Sequence, residues 1–370
     1  MLTDVSVAPS LTSRVPDVGR DRLLAELVPP PRFGTERFST YRPALDQPSQ
    51  TAAVERLQAY AGSLAPPRRS RWPRRRADEA RGVYLDGGFG VGKTHLLAAL
   101  WHAAPGPKAF GTFVGFTHLV GALGFGEAVT ALRSHRLICI DEFELDDPGD
   151  TVLMSTLLTR LADAGVSLAA TSNTLPDALG QGRFAADDFL REIQRLSARF
   201  EVVTIDGEDY RHRGQVTSPP ALPDEQVDRQ MRRCGGAVDD FPALLAHLAR
   251  IHPSRYGALL DGVPAVGWHG VRPVEDQNVA LRLVSLADRL YDREVRVLAS
   301  GTPLGEIFTP ELLAGGYRKK YYRALSRLTA LARPDEGSGR GGGAGRPGGA
   351  GAYERGEGAD SRGPRTRPVP

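Results

Sequence analysis

The sequence predicts an α/β protein: a parallel sheet with helices on both faces, followed by a smaller, mainly helical C-terminal region. Three observations predict it. Residues 84–94 read YLDGGFGVGKT, an apolar strand pattern running into glycines and then into a helix-forming segment. Residues 136–142 read RLICIDE, an apolar run ending in two acids. From Gly82 to about Asp206, apolar runs alternate with amphipathic stretches, the pattern of a parallel sheet buried on both sides.

Taken in order, residues 1–20 are polar and contain prolines, which predicts a flexible tail. RDRLLAELVPPPRF reads as a short helix stopped at Pro29–Pro31, and a second helical pattern covers Gln47–Leu64. PPRRSRWPRRR places six arginines between Arg68 and Arg76 and has no helical or strand period, so it reads as an exposed loop. GVYLDG, AFGTFVGF, RLICID, SLAATSN and FEVVTID read as strands. Thr94–Ala103 and Asp150–Ala164 read as helices, the second with Asp150 as N-cap and Gly165 as stop. After Asp209–Arg213 the strands mostly stop. Phe241, Leu244, Leu245 and Leu248 mark one helix, and Val279, Leu283, Leu286 and Leu290 another. EVRVLAS allows one more strand, and Leu313–Leu328 carries a last helical stripe. Residues 334–370 are Gly, Arg and Pro with almost no large apolar side chain, the composition of a disordered tail. The expected organisation is a tail at 1–20, a nucleotide-binding core at 21–215, a helical lid at 216–333 and a tail at 334–370.

The chain has 47 basic and 44 acidic residues, a formal charge of +3, so overall charge argues neither for nor against a polyanionic partner. Two cysteines, Cys139 and Cys234, make no disulfide framework and fit a reducing compartment. No run reaches the roughly 20 apolar residues of a membrane span, and the N-terminus has no signal-peptide pattern, so the expected location is cytoplasmic.

The glycines of Gly87–Thr94 fit G-x-x-x-x-G-K-[ST], the P-loop, in its required place between strand and helix. Gly87, Gly88, Phe89, Gly90, Val91 and Gly92 would wrap phosphate with backbone N–H groups, and the following helix adds positive charge at its N-terminus. Lys93 would reach the β- and γ-phosphates of ATP, and Thr94 would place its hydroxyl on Mg2+. Asp141 would hold Mg2+, and Glu142 would orient and deprotonate the attacking water. Glu144, Asp146 and Asp147 read as solvated or helix-capping charges. SLAATSN ends in Asn173, whose neutral side chain can hold the lytic water without competing for metal.

These three runs, in this order, resemble AAA+ ATPases. RFGTERFSTYRP, QPSQTAAVERL, DEFELDDPGD, TSNTLPDAL and VVTIDGEDYRHR resemble the ZapE/AFG-like family of AAA+ ATPases, and LADRLYDREVRVLAS and RALSRL extend the match, over roughly residues 20–330. The resemblance implies ATP hydrolysis with Mg2+, Walker A at Gly87–Thr94, Walker B at Asp141 and Glu142, and sensor 1 at Asn173. It also implies a nucleotide-dependent homo-oligomeric ring and a protein partner, with FtsZ and the division machinery as the partner class. Where the family carries a Gly-Leu-Gln-Arg run, this chain has LGQGRFAADDFLREI, and Arg183 is the loop arginine nearest that place, the candidate finger. Arg191, Arg195 and Arg199 share a four-residue spacing and either meet a neighbouring subunit or are solvated; Arg327 either reaches the γ-phosphate as a sensor 2 or forms a surface salt bridge. Two other functions stay open at this level. One is a DNA-acting ATPase of the helicase-loader type, with the Arg68–Arg76 loop on phosphates. The other is a non-hydrolysing nucleotide-dependent scaffold.

Overall fold

The computed structural model describes residues 8–64, 82–88, 90–144, 148–174, 197–207 and 219–332. Five parallel strands form the larger sheet: β1 (Gly82–Gly87), β2 (Lys108–Thr112), β3 (Leu137–Asp141), β4 (Ser167–Ser172) and β5 (Phe200–Ile205), in the order β2-β3-β4-β1-β5. Their side chains alternate between two cores. Val83, Leu85, Leu137 and Cys139 face one side, against Leu57 of α2 (Pro48–Ser63) and Leu96, Leu97 and Leu100 of α3 (Lys93–Ala103). Tyr84, Ile138 and Ile140 face the other, against Phe116 and Leu119 of α4 (Phe113–Leu123), Leu132 of α5 (Phe125–Leu132) and Leu157 and Leu161 of α6 (Pro148–Asp163). Both faces are covered, which is why these strands read as continuous apolar runs. A short helix α1 (Arg20–Ala25) precedes α2 as expected. Among the described residues no single helix is long and apolar enough to cross a membrane.

AFGTFVGF is strand only as far as Thr112. The Thr112 hydroxyl accepts from Gly115 N–H at 3.0 Å and caps α4, so Phe113 opens a helix instead of extending the strand. Helix α6 begins two residues before Asp150, which lies in its acidic first turn rather than at its cap.

The C-terminal region is built largely of helices, around a three-stranded parallel sheet that sequence patterning mostly hides. It comprises β6 (Ala237–Asp240), β7 (Ala265–Val271) and β8 (Arg296–Gly301), in that order. Helix α7 (Asp224–Cys234) packs Val227 and Met231 on one face. The other face meets α8 (Phe241–Arg250), α9 (Tyr256–Leu259) and α10 (Gln277–Asp292), with α11 (Pro310–Ala314) and α12 (Arg318–Leu331) completing a core around Trp268.

Residues 8–20 are not a loose tail. Leu11 is fully buried in that C-terminal core beside Phe241 and Leu244. Asp239, buried at the end of β6, accepts from Leu11 N–H at 3.1 Å, from Thr12 N–H at 3.0 Å and from the Ser10 hydroxyl. A buried carboxylate requires such donors, and the N-terminal segment supplies them. The expectations for residues 1–7, the Arg68–Arg76 loop and residues 334–370 lie outside the described residues.

Candidate active site

Parallel strands bring their carboxyl ends to one edge, and the chemistry-bearing residues of β1, β3 and β4 meet there. Gly90 and Gly92 hold left-handed φ of 77° and 91°, which glycine adopts without strain. A Cβ on Gly92 would stand 2.6 Å from the Tyr41 ring, whose hydroxyl donates to Val91 O at 2.8 Å. Gly92 is also the N-cap of α3 and offers no side chain to its first turn, so the helix begins with N–H groups not capped by that residue.

The Lys93 ammonium donates to Gly87 O at 2.8 Å, to Gly88 O, and to Asn173 Oδ1 at 2.9 Å. Asn173 Nδ2 donates in turn to Glu144 Oε1 at 3.2 Å. Glu144, expected to be solvated or capping, therefore belongs to this network. Thr94 Oγ1 donates to Asp141 Oδ1 at 3.1 Å. Asp141 is buried, and burial, then the Glu142 charge, push its carboxyl up to about 6 against the opposing pull of hydrogen bonds from Thr171 and Thr94. Thr171 ties the two acids together. Its hydroxyl donates to Asp141 Oδ1 at 2.5 Å and accepts from Glu142 N–H at 3.1 Å.

Glu142 has φ 53°, an uncommon conformation for a side chain beyond glycine, at the point where β3 gives way to its loop. Its two oxygens accept from two arginines of α12, Arg323 Nη1 at 2.9 Å and Arg327 Nη2 at 2.9 Å. Arg327 is thus no exposed surface salt bridge: it reaches the carboxylate at the edge of the larger sheet. Arg323 escaped sequence reasoning as a contributor, and its spacing from Arg327, one helical turn, was the available signal. Thr171 was legible only as one of the small polar residues that end SLAATSN, with no sign that it would bond both acids. Arg199 pairs with Asp163 at 2.7 Å. Phe89, Asp146, Asp147, Arg183, Arg191 and Arg195 lie outside the described residues.

The residues present fit a magnesium-bound polyphosphate. Thr94 and Asp141 are hard oxygen donors already within hydrogen-bond distance of each other. The N-terminus of α3, whose N-cap Gly92 has no side chain, and the Lys93 ammonium supply positive charge beside them.

Cell division protein ZapE of Escherichia coli K12 is 28% identical over 309 residues, covering 68% of this chain and 78% of that protein. A Schizosaccharomyces pombe protein is 29% identical over 150 residues, 35% of this chain and 33% of its own. Among solved structures, AMPPCP-bound DnaA from Aquifex aeolicus is 15% identical, with a TM-score of 0.36 over 46% of this chain and 50% of that one. The profile of the AFG1-like ATPase family matches residues 18–223 and 217–336, so the chain belongs to the AFG1-like ATPase family.

Proposed function

We propose that this chain hydrolyses ATP, with Mg2+, and uses the cycle to remodel or regulate a protein partner. The observation that carries the reading is the Thr94–Asp141 hydrogen bond beside Lys93 at the start of α3. In this reading the α3 N–H groups and Lys93 bind the phosphates, and Thr94 and Asp141 hold the metal. Bound Mg2+ would neutralise charge on the phosphate oxygens. Glu142 accepts the proton of the attacking water, and Asn173 positions that water. Arg183, from a neighbouring subunit of a homo-oligomeric ring, is the proposed finger. The name of the Escherichia coli relative supports a role in cell division, and the partner class proposed with it is FtsZ or the division machinery.

The test is a pair of variants. Lys93→Ala should abolish nucleotide binding. Glu142→Gln should retain binding and lower turnover by roughly 10²–10⁴, the usual worth of a general base. Turnover by Glu142→Gln equal to the parent would overturn the assignment. The same variant, loaded with ATP, should retain the protein partner during affinity capture.

A further inference from the structure

Four charged side chains from three elements close a ring over the end of β3. Glu142 accepts from Arg323 and Arg327 on one side. On the other side Asp288 of α10 accepts from Arg323 Nη2 at 3.0 Å and from Arg327 Nη1. Each arginine therefore spans both acids, and the signs alternate round the ring. The group is largely withdrawn from solvent, with Arg327 only 12% exposed and Arg323 19%. Burial works to raise the Asp288 pKa, but the Arg323 and Arg327 charges outweigh it and hold this carboxyl below its ordinary value. Behind Arg327 stands the Tyr291 ring, 5.2 Å away, with the Arg32 guanidinium 4.1 Å from the same ring.

A ring of this kind is weak evidence for stability, because desolvating four charges offsets much of their attraction. Its position is more informative. Two guanidinium groups stand at the lip of a phosphate cradle and are engaged by a carboxylate. The planar fork of arginine takes phosphate oxygens in the same two-pronged way as carboxylate oxygens. A phosphate can therefore replace the Glu142 carboxylate in the ring without the arginines leaving Asp288.

We propose that the Arg323–Arg327 pair is a gate on Glu142: kept in register by Asp288, it grips the carboxylate until the terminal phosphate of a nucleoside triphosphate takes its place and leaves Glu142 open to water. This rests on the ATP-hydrolysing reading. Asp288 acts through the arginines and is a positioning residue. A diphosphate lacks the group that would displace Glu142, so the lid distinguishes the two nucleotides through this exchange.

The exchange is a competition, and binding measures it without any turnover. Isothermal titration with a non-hydrolysable ATP analogue and with ADP, both with Mg2+, is the experiment. Glu142→Gln removes the competitor and should tighten the analogue on the order of tenfold, the size of one charge-assisted hydrogen-bond pair, with ADP changed by less than about twofold. Simple relief of repulsion between Glu142 and phosphate would also tighten binding, but would do so without the arginines. In an Arg323→Gln, Arg327→Gln, Asp288→Asn background most of the gain from Glu142→Gln should therefore vanish. If that background fails to fold by circular dichroism, Arg323→Lys with Arg327→Lys keeps both charges, breaks the forks and should cut the gain below about threefold. Equal analogue affinity for Glu142→Gln and parent, or a full gain without the forks, overturns the gate alone. A parent that shows no Lys93-dependent nucleotide binding overturns the ATP reading and the gate with it.

Discussion

Thr171→Val removes one hydroxyl and changes the shape of the side chain little. The hydroxyl is buried, donates to Asp141 at 2.5 Å and accepts from Glu142 N–H at 3.1 Å. Its loss leaves that N–H short of a partner, at a cost of about 1–3 kcal/mol. The bond to Asp141 is worth about 1.5–3 kcal/mol when the carboxyl is ionised and about 0.5–1.5 kcal/mol when it is neutral. The pKa of Asp141 is raised by folding to about 6. The stability this carboxyl contributes is therefore fully present below its unfolded value, near 3.9, and is lost as pH rises towards 6. At pH 8 it is ionised and leans on Thr171; at pH 5 it is mostly neutral and leans less. The variant should lose about 3–5 kcal/mol at pH 8 and about 1 kcal/mol less at pH 5. Urea unfolding followed by tryptophan fluorescence, without nucleotide or metal, measures both. Thr171→Ser keeps the hydroxyl and should recover most of the loss. A loss under about 1 kcal/mol at both pH values, or one that does not grow with pH, refutes the role given to this side chain.

Leu11→Ala should cost about 2–5 kcal/mol by opening a cavity in the C-terminal core, read by urea unfolding; a change under about 0.5 kcal/mol would mean the N-terminal segment is not seated there. His118 on α4 is half-buried, and desolvation, then the Arg289, His252 and Lys320 charges, with Asp288 opposing them, lower its pKa to about 3. The unfolded chain therefore takes up a proton that the folded chain refuses, and stability present above about pH 6.5 is lost as pH falls towards 3. Between pH 7 and 5 this amounts to about 2 kcal/mol, so His118→Asn should flatten the acid side of the stability profile by that amount; an unchanged slope would refute it.

The larger sheet was legible because its central strands are apolar on both faces and end in polar residues, as Ile138–Glu142 and Ala169–Asn173 do. Of the smaller sheet only β8 was, within EVRVLAS; β6 and β7 were not. In β7 the sequence AVGWHGV carries two glycines, and a strand interior rarely keeps them. Gly267 is there because a Cβ would stand 2.7 Å from Val227 of α7; the residue that disguises the strand admits the helix. Strand β6 has four residues, two of them acids, and gives no alternation to read. At the candidate site, motif spacing brought Lys93, Thr94, Asp141 and Glu142 forward, since their chemistry is local to strand ends. The Glu142–Arg323–Asp288–Arg327 ring joins positions more than a hundred residues apart, and no local pattern encodes that pairing. Leu11 was one apolar side chain in a polar stretch, and only the tertiary pocket gives it meaning.

The seat of Leu11 also sets a timetable. Its carboxylate anchor, Asp239, lies 228 residues further along the chain. Ribosomes add roughly 5–20 residues per second, so the Leu11 segment waits about 10–45 s for the strand that receives it. During that interval the five strands of the larger sheet can already pair, because all of them are made before β6. The Leu11 segment is thus among the last of the described pieces to find its place, because its seat is made only after the whole of the larger sheet.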